Sequence, residues 1–168
     1  VSPDLLCAEI TREAWERSDF SKASLEVREA LAPAIASMDI VLIPVAPTSE
    51  QFIDFAPDSG WRRRLVQSFD RLLRWGQVQA NDAETINGAW FSMFCHTVCW
   101  LTEMLWTVKD RAAWDRQNKE LVENIMRAIQ RDSGRRVLVA VQCQRLHRLL
   151  PLLHTHDDLF SIVAYQDL

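Results

Sequence analysis

Three short, nearly continuous apolar runs constrain this chain more than any other feature. Leu5-Leu6-Cys7-Ala8-Glu9-Ile10 and Asp39-Ile40-Val41-Leu42-Ile43-Pro44-Val45 lie on either side of a helical interval, and Val137-Leu138-Val139-Ala140-Val141 follows near the end. Runs of this length suit strands covered on both faces. Between the first two, Leu25, Val27, Ala30, Leu31, Ala34 and Ile35 recur at helical spacing, with Glu26, Arg28 and Glu29 on the other side. A strand-helix-strand order predicts parallel pairing and a right-handed crossover. With 168 residues and 48% hydrophobic content, one domain can bury a core. The expected fold is α/β: a small, mainly parallel sheet with flanking helices and a large helical insertion.

That insertion is expected at roughly 48–131. Pro44, Pro47 and Pro57 punctuate its entry, and Asp58 or Ser59 can cap a first helix. Trp61, Leu65, Phe69, Leu72 and Leu73 mark one apolar face of that helix, which is predicted to end near Gly76. Asn81-Asp82-Ala83-Glu84 opens a helix that is apolar nearly all round, from Trp90 through Phe94, Val98 and Trp100 to Trp106, and is therefore predicted to be central and buried. A further helix from about Lys109 to Arg131 turns Trp114, Leu121, Ile125 and Ile129 inward and pairs Glu123 with Arg127, before Gly134 ends it. After the third run come a helix from Arg145 to Leu153, kinked at Pro151, and a last strand from Leu159 to Tyr165.

The 19 basic and 23 acidic residues are interspersed and leave a net charge of -4, so no basic field exists to attract nucleic acid. The longest apolar stretch, Ala89 to Trp106, carries His96 and Glu103 near its middle, which argues against a membrane span. Cys7, Cys95, Cys99 and Cys143 sit in apolar segments rather than in a disulfide framework, as expected of reduced thiols in a cytoplasmic protein. The chain opens at Val1 on a strand-like run with no turn signal before it. A missing upstream strand is the expectation, with the edge of the first strand open to an upstream segment or to another copy in a homo-oligomer.

Sites in open α/β sheets form beyond the carboxyl ends of the strands, which selects Glu9 and Thr11, residues 44–48, and Gln142 to His147. Glu9 there can hold a divalent metal, act as a base or orient a histidine; the plainer alternatives are a cap on the following helix or a pair with Arg12. His96 and Glu103, seven apart on an apolar helix, are either ligand-binding or a satisfied core pair. Cys95, His96 and Cys99 do not easily converge, because consecutive helical side chains diverge by about 100°. His154 and His156, beside Asp157 and Asp158, read as a solvated loop. The seven tryptophans fit core packing, or else the lining of a haem or other hydrophobic ligand site. There is no nucleophile elbow or HExxH, and four glycines leave little scope for a phosphate cradle.

The order of SPDLLCAEI, MDIVLIPV, WDRQNKELVENI and GRRVLVAVQCQRLHRL resembles the TraB/Tiki superfamily, which also takes in ChaN-like haem-uptake proteins and erythromycin-esterase relatives. The resemblance spans most of the chain as an order of elements. It implies a small α/β sheet with a helical insertion and, from some members, metal-dependent peptidase or hydrolase activity. Glu9 matches the strand-end glutamate, and Asn118 matches the second position of an Arg-Asn pair whose first position is here Gln117. The late Gly-His falls on Gln144-Arg145, with His147 two residues further on, and the early Gly-x-x-His has no counterpart. Arginine is no metal ligand at neutral pH, but it binds carboxylates and phosphates bidentately.

The leading expectation is a Tiki/TraB-like metal-dependent hydrolase or peptidase acting on a small molecule or peptide. Glu9 and His147 would be catalytic, with Glu9 the metal ligand, and Asn118, Gln144, Arg145, His96 and Glu103 would bind ligand. A non-catalytic ligand-binding or protein-interaction module using the tryptophan-rich helices is the alternative. Haem binding is the third, with Tyr165, the single tyrosine, as axial candidate.

Overall fold

In a computed structural model the described residues are 3–20, 40–47, 60–80 and 82–163. The chain divides into two compact units, one of Val1–Gln51 with Arg116–Leu152 and one of Phe52–Asp115 with Leu153–Leu168.

The first unit is α/β. Strands β1 (Leu5–Ala8), β2 (Val41–Pro44) and β3 (Val137–Ala140) form a parallel sheet in the order β2-β1-β3. Leu5 aligns with both Val41 and Val137, so the three carboxyl ends finish level at Ala8, Pro44 and Ala140. All four residues of β1 are buried, as a central strand requires. This corrects the expectation of an open edge beside Leu5 to Ile10, since β1 is hydrogen-bonded to a neighbour on each side. The helix expected around Leu25 to Ile35 lies outside the described residues.

Ala8 and Ile10 anchor a core with Ala14, Trp15, Phe20 and Leu42. Ala14 and Trp15 sit on a short helix, α1 (Arg12–Arg17), whose N-cap is Thr11: its hydroxyl accepts from the Ala14 N–H at 3.1 Å. Glu9 is therefore not the cap, and Arg12 pairs with Glu16 rather than with Glu9. At the other end of β1, Asp4 accepts from the Arg136 N–H at 2.9 Å, which holds its carboxyl below the usual carboxylate range.

The second unit is built from helices. Helix α2 runs from Gly60 to Gln79 and turns Leu73 and Gly76 inward, while Trp61, Leu65 and Leu72 of its expected apolar face are exposed. Gly76 does not end it. A Cβ there would lie 2.6 Å from Cε1 of Phe94, so glycine serves the close approach of an aromatic ring.

Asp82 caps α3 (Ala83–Asn87) by accepting from the Thr85 N–H at 2.6 Å. Gly88, extended at ψ 153°, then separates it from α4 (Ala89–Met104), where a single helix was expected. Helix α4 is not buried all round either. Phe91, Cys95, Val98, Cys99 and Glu103 are buried along one side, but Trp90, Met93, Trp100 and Met104 are exposed. Hydropathy sets how much of a helix surface is apolar; the number of neighbours sets how much of it is covered.

Helix α5 (Val108–Arg131) supplies residues to both units, with the division at Arg116. In its first part Trp114 meets Trp106 edge-on at 5.6 Å. In the α/β part, Gln117, Asn118, Leu121, Val122, Ile125 and Met126 are buried at helical spacing. Arg127 bonds Asn124 Oδ1 at 2.8 Å instead of the expected Glu123. The same Asn124 donates through Nδ2 to the Val45 carbonyl at 3.0 Å, tying α5 to the segment after β2.

Helix α6 (Cys143–His154) starts two residues before the expected position and contains Pro151. The last expected strand does not form over 159–163, and Ala164 and Tyr165 lie outside the described residues. Instead the His156 N–H bonds the Leu153 carbonyl and the Leu159 N–H bonds that of His156, both at 2.9 Å. These short-range bonds keep the backbone turned rather than extended. No helix among the described residues is long and apolar enough to cross a membrane.

Candidate functional site

Because the three strands end level, the residues just beyond them meet. Hydrogen bonds from Glu9 N to the Ala140 carbonyl (3.1 Å) and from Val45 N to the Ala8 carbonyl (2.9 Å) carry the ladder past the strands themselves. Glu9 thus leaves the sheet beside the turn that starts α6. Its Oε2 accepts from the Gln142 backbone N–H at 3.0 Å, and its Oε1 accepts from Nε of Arg145 at 2.6 Å. The Arg145 N–H in turn bonds the Gln142 carbonyl at 2.9 Å, which closes the first turn of α6 and aims the side chain back at the sheet.

The guanidinium continues beyond Glu9. Nη1 donates to Oδ1 of Asn118 at 2.8 Å and Nη2 to Oε1 of Gln117 at 3.2 Å. Side-chain exposure is 8% for Arg145 and 4% for Glu9, so this is an ion pair in the interior. Such a pair costs desolvation free energy that only good geometry and further hydrogen bonds offset. Both conditions are met: the contact is short, and two amide oxygens accept from the rest of the planar fork. One donor is left over, since Nδ2 of the 1%-exposed Asn118 has no hydrogen-bond partner among the described residues.

Of the residues selected from the sequence, the structure gathers Glu9, Asn118 and Arg145. His147 is half-buried on α6, but two residues along a helix turn a side chain about 200° away from Arg145. Gln144, also half-buried, is about 100° from it. His96 and Glu103 belong to the helical unit; Glu103 is buried and His96 exposed, and seven residues at about 1.5 Å rise separate them by about 10 Å along α4. Spacing of that size does not let one ion bridge them. His154 pairs with Asp157 at 3.1 Å on the surface. Tyr165, on which the haem reading rested, lies outside the described residues.

No group of three histidine, cysteine, aspartate or glutamate side chains among the described residues is placed to hold a metal ion. Both Glu9 oxygens accept hydrogen bonds, Oε2 from the Gln142 N–H and Oε1 from the Arg145 guanidinium. Cys7 is buried in β1, and burial pushes its thiol up to about 11 from 9.0. It stays protonated at neutral pH, and its favourable burial is lost only as pH rises from 9.0 through about 11.

Sequence reasoning missed two participants. Gln117 stood out only as a replaced arginine, and the contribution of Gln142 comes from its backbone. A polar pair, Gln117-Asn118, on the same helical side as Leu121 and Ile125 was the available signal for the first. No known protein family, curated protein or solved structure matches the chain. The TraB/Tiki resemblance therefore rests on the order of its motifs.

Proposed function

We propose that this chain is a non-catalytic interaction module that engages a protein partner through the exposed side of α4. The observation that carries the reading is the exposure of Trp90 (67%), Met93 (64%), Trp100 (52%) and Met104 (57%) along one helix. With Thr97, also exposed, these positions follow a spacing of three and four residues, so they form one stripe. Tryptophan supplies large anchors in protein interfaces, and methionine adapts its shape to a partner. Four such side chains in line exceed the scattered apolar exposure ordinary on a monomer.

The strand-end cluster supports the same reading from the other side. In a hydrolase the carboxylate at Glu9 would face a metal or a water, whereas here an arginine from the same chain occupies it. The cluster then works as a tie between β1, α5 and α6.

A photo-crosslinking residue placed at Met93 of the full chain, in the cell that makes it, tests the proposal. A discrete protein adduct is expected from position 93 and none from the exposed Lys119 of α5. Absence of any adduct from positions 90, 93 and 100 would overturn it.

A further inference from the structure

We infer that the partner of this chain presents an acidic amphipathic helix, seated in a groove between α2 and α4 with its carboxylates against Arg64 and Arg71. This rests on the interaction reading above and names the partner's chemistry.

Helix α2 packs against α4, and the two are joined by residues 80–88. They meet where one ends and the other begins, with Gly76 against the Phe94 ring. Helices joined in this way lie side by side by reversing direction. Trp61, Leu65, Leu72 and Trp75 are exposed on α2 and recur at intervals of three, four or seven residues, so they form a second stripe. At about 100° per residue, this stripe lies about 60° round from Gly76, and the α4 stripe lies about 80° round from Phe94 in the same sense. In antiparallel neighbours, similar turns from the line of contact bring both stripes to one side of the pair. They become the two banks of one groove, and along its floor Phe94 stacks on Trp90 at 5.8 Å.

Two banks supply the area that one stripe lacks. With about 150–250 Å² available from each large aromatic, the eight exposed side chains present on the order of 900 Å². A stable interface buries about 800 Å² per partner. A groove of this kind, apolar on both banks, accepts the apolar side of a third helix.

Charge selects which helix. In a chain whose net charge is -4, α2 carries five arginines and one aspartate. Arg74 pairs with Asp70 at 3.0 Å, and Arg62 lies over the Trp61 ring at 5.6 Å. Arg64 and Arg71 are exposed and have no ion-pair partner among the described residues. Seven residues apart, they stand in line along the outer rim of the α2 bank, about 75° beyond the stripe. The opposite rim is uncharged, since α4 contains no lysine, arginine or aspartate and its one glutamate, Glu103, is buried. Complementarity is therefore one-sided. It calls for carboxylates two turns apart on one flank of the incoming helix, as at the flanking positions of a coiled coil. A second copy docked face to face offers that rim arginine or no charge, and an anionic bilayer repels the acidic remainder of the chain.

The test is fluorescence anisotropy of the full chain with a labelled helical peptide of about five turns, leucine on one side and glutamate along one flank. Binding is expected to weaken as salt rises past about 0.1 M, where the screening length is about 10 Å. A peptide with glutamine in place of glutamate is expected to bind about tenfold more weakly. Arg64→Glu/Arg71→Glu is expected to lose the glutamate peptide by a similar factor and to prefer its lysine counterpart. Its circular dichroism and thermal midpoint should match the wild type, because both arginines are exposed. A loss of packing alone would not exchange the preference.

Equal binding of the glutamate and glutamine peptides overturns the inference, as does a double variant that keeps the preference of the wild type. Co-sedimentation with phosphatidylserine vesicles in place of peptide binding overturns it too, and so does a position-93 photoadduct at twice the chain mass. If that adduct is a different protein and forms undiminished in the double variant, the acidic helix is excluded and the interaction reading stands. Absence of both peptide binding and adduct sinks the two together.

Discussion

The strand-end cluster and the outer side of α4 are opposites in composition and in burial. Glu9, Arg145, Gln117 and Asn118 are polar and enclosed, whereas Trp90, Met93, Trp100 and Met104 are apolar and open to solvent. A hydropathy rule would exchange the two. Burial follows the available partners: a charge can be interior when another chain segment completes its hydrogen bonds, and an apolar side chain is exposed where none of the described segments covers it.

The most severe way to break this contrast is to remove the cation from the cluster. Arg145→Met leaves the Glu9 carboxylate buried without its counter-charge, and about 3–5 kcal/mol of stability should be lost. Urea denaturation measures this, with the double variant Glu9→Met/Arg145→Met expected to recover much of the loss, because an apolar pair needs no desolvation. A single-variant loss below about 1 kcal/mol would mean that the pair is solvated, as surface pairs are.

A smaller effect, about 1–3 kcal/mol, is expected for Gly76→Val. Its Cβ would begin 2.6 Å from Cε1 of Phe94, so the ring must shift or α2 and α4 must separate. Unchanged thermal stability would show that glycine is not needed for that approach and that the covered side of α4 is held loosely.

Smallest of all should be Met93→Gln on the open side, within about 0.5 kcal/mol of wild type in the same urea titration. A loss as large as that of Gly76→Val would place Met93 in a packed interior and erase the contrast. The paired result, severe for a polar residue and negligible for an apolar one, is the signature expected here.

Much of the α/β unit is legible in the amino-acid sequence. The runs at Leu5, Val41 and Val137 announce strands through their length and lack of alternation, and the ends of those strands point to Glu9 and Arg145 as neighbours of one site. What those residues do to one another is not legible. Glu9 and Arg145 are 136 positions apart, and no spacing rule reaches that far. The structure gives Arg145 its partners, since its guanidinium binds Glu9, Asn118 and Gln117.

The helical unit reads less well, for a related reason. Gly76 has the composition of a helix end, and only the ring of Phe94 beside it shows why the helix passes through. Gly88 interrupts a stretch that periodicity alone would join. For α4, the apolar perimeter is visible, but an apolar perimeter states a capacity for contact rather than a count of neighbours.

By itself the sequence determined the three strands, the approximate places of the longer helices, and that Asn81-Asp82 opens one of them. Those properties depend on residues within a few positions of one another. Tertiary structure alone decided that β1 is central, that a glutamate and an arginine neutralise each other inside, and that one side of α4 stays open. Each of these depends on which distant segments arrive, and hydrogen-bond completion and coverage have no local signal.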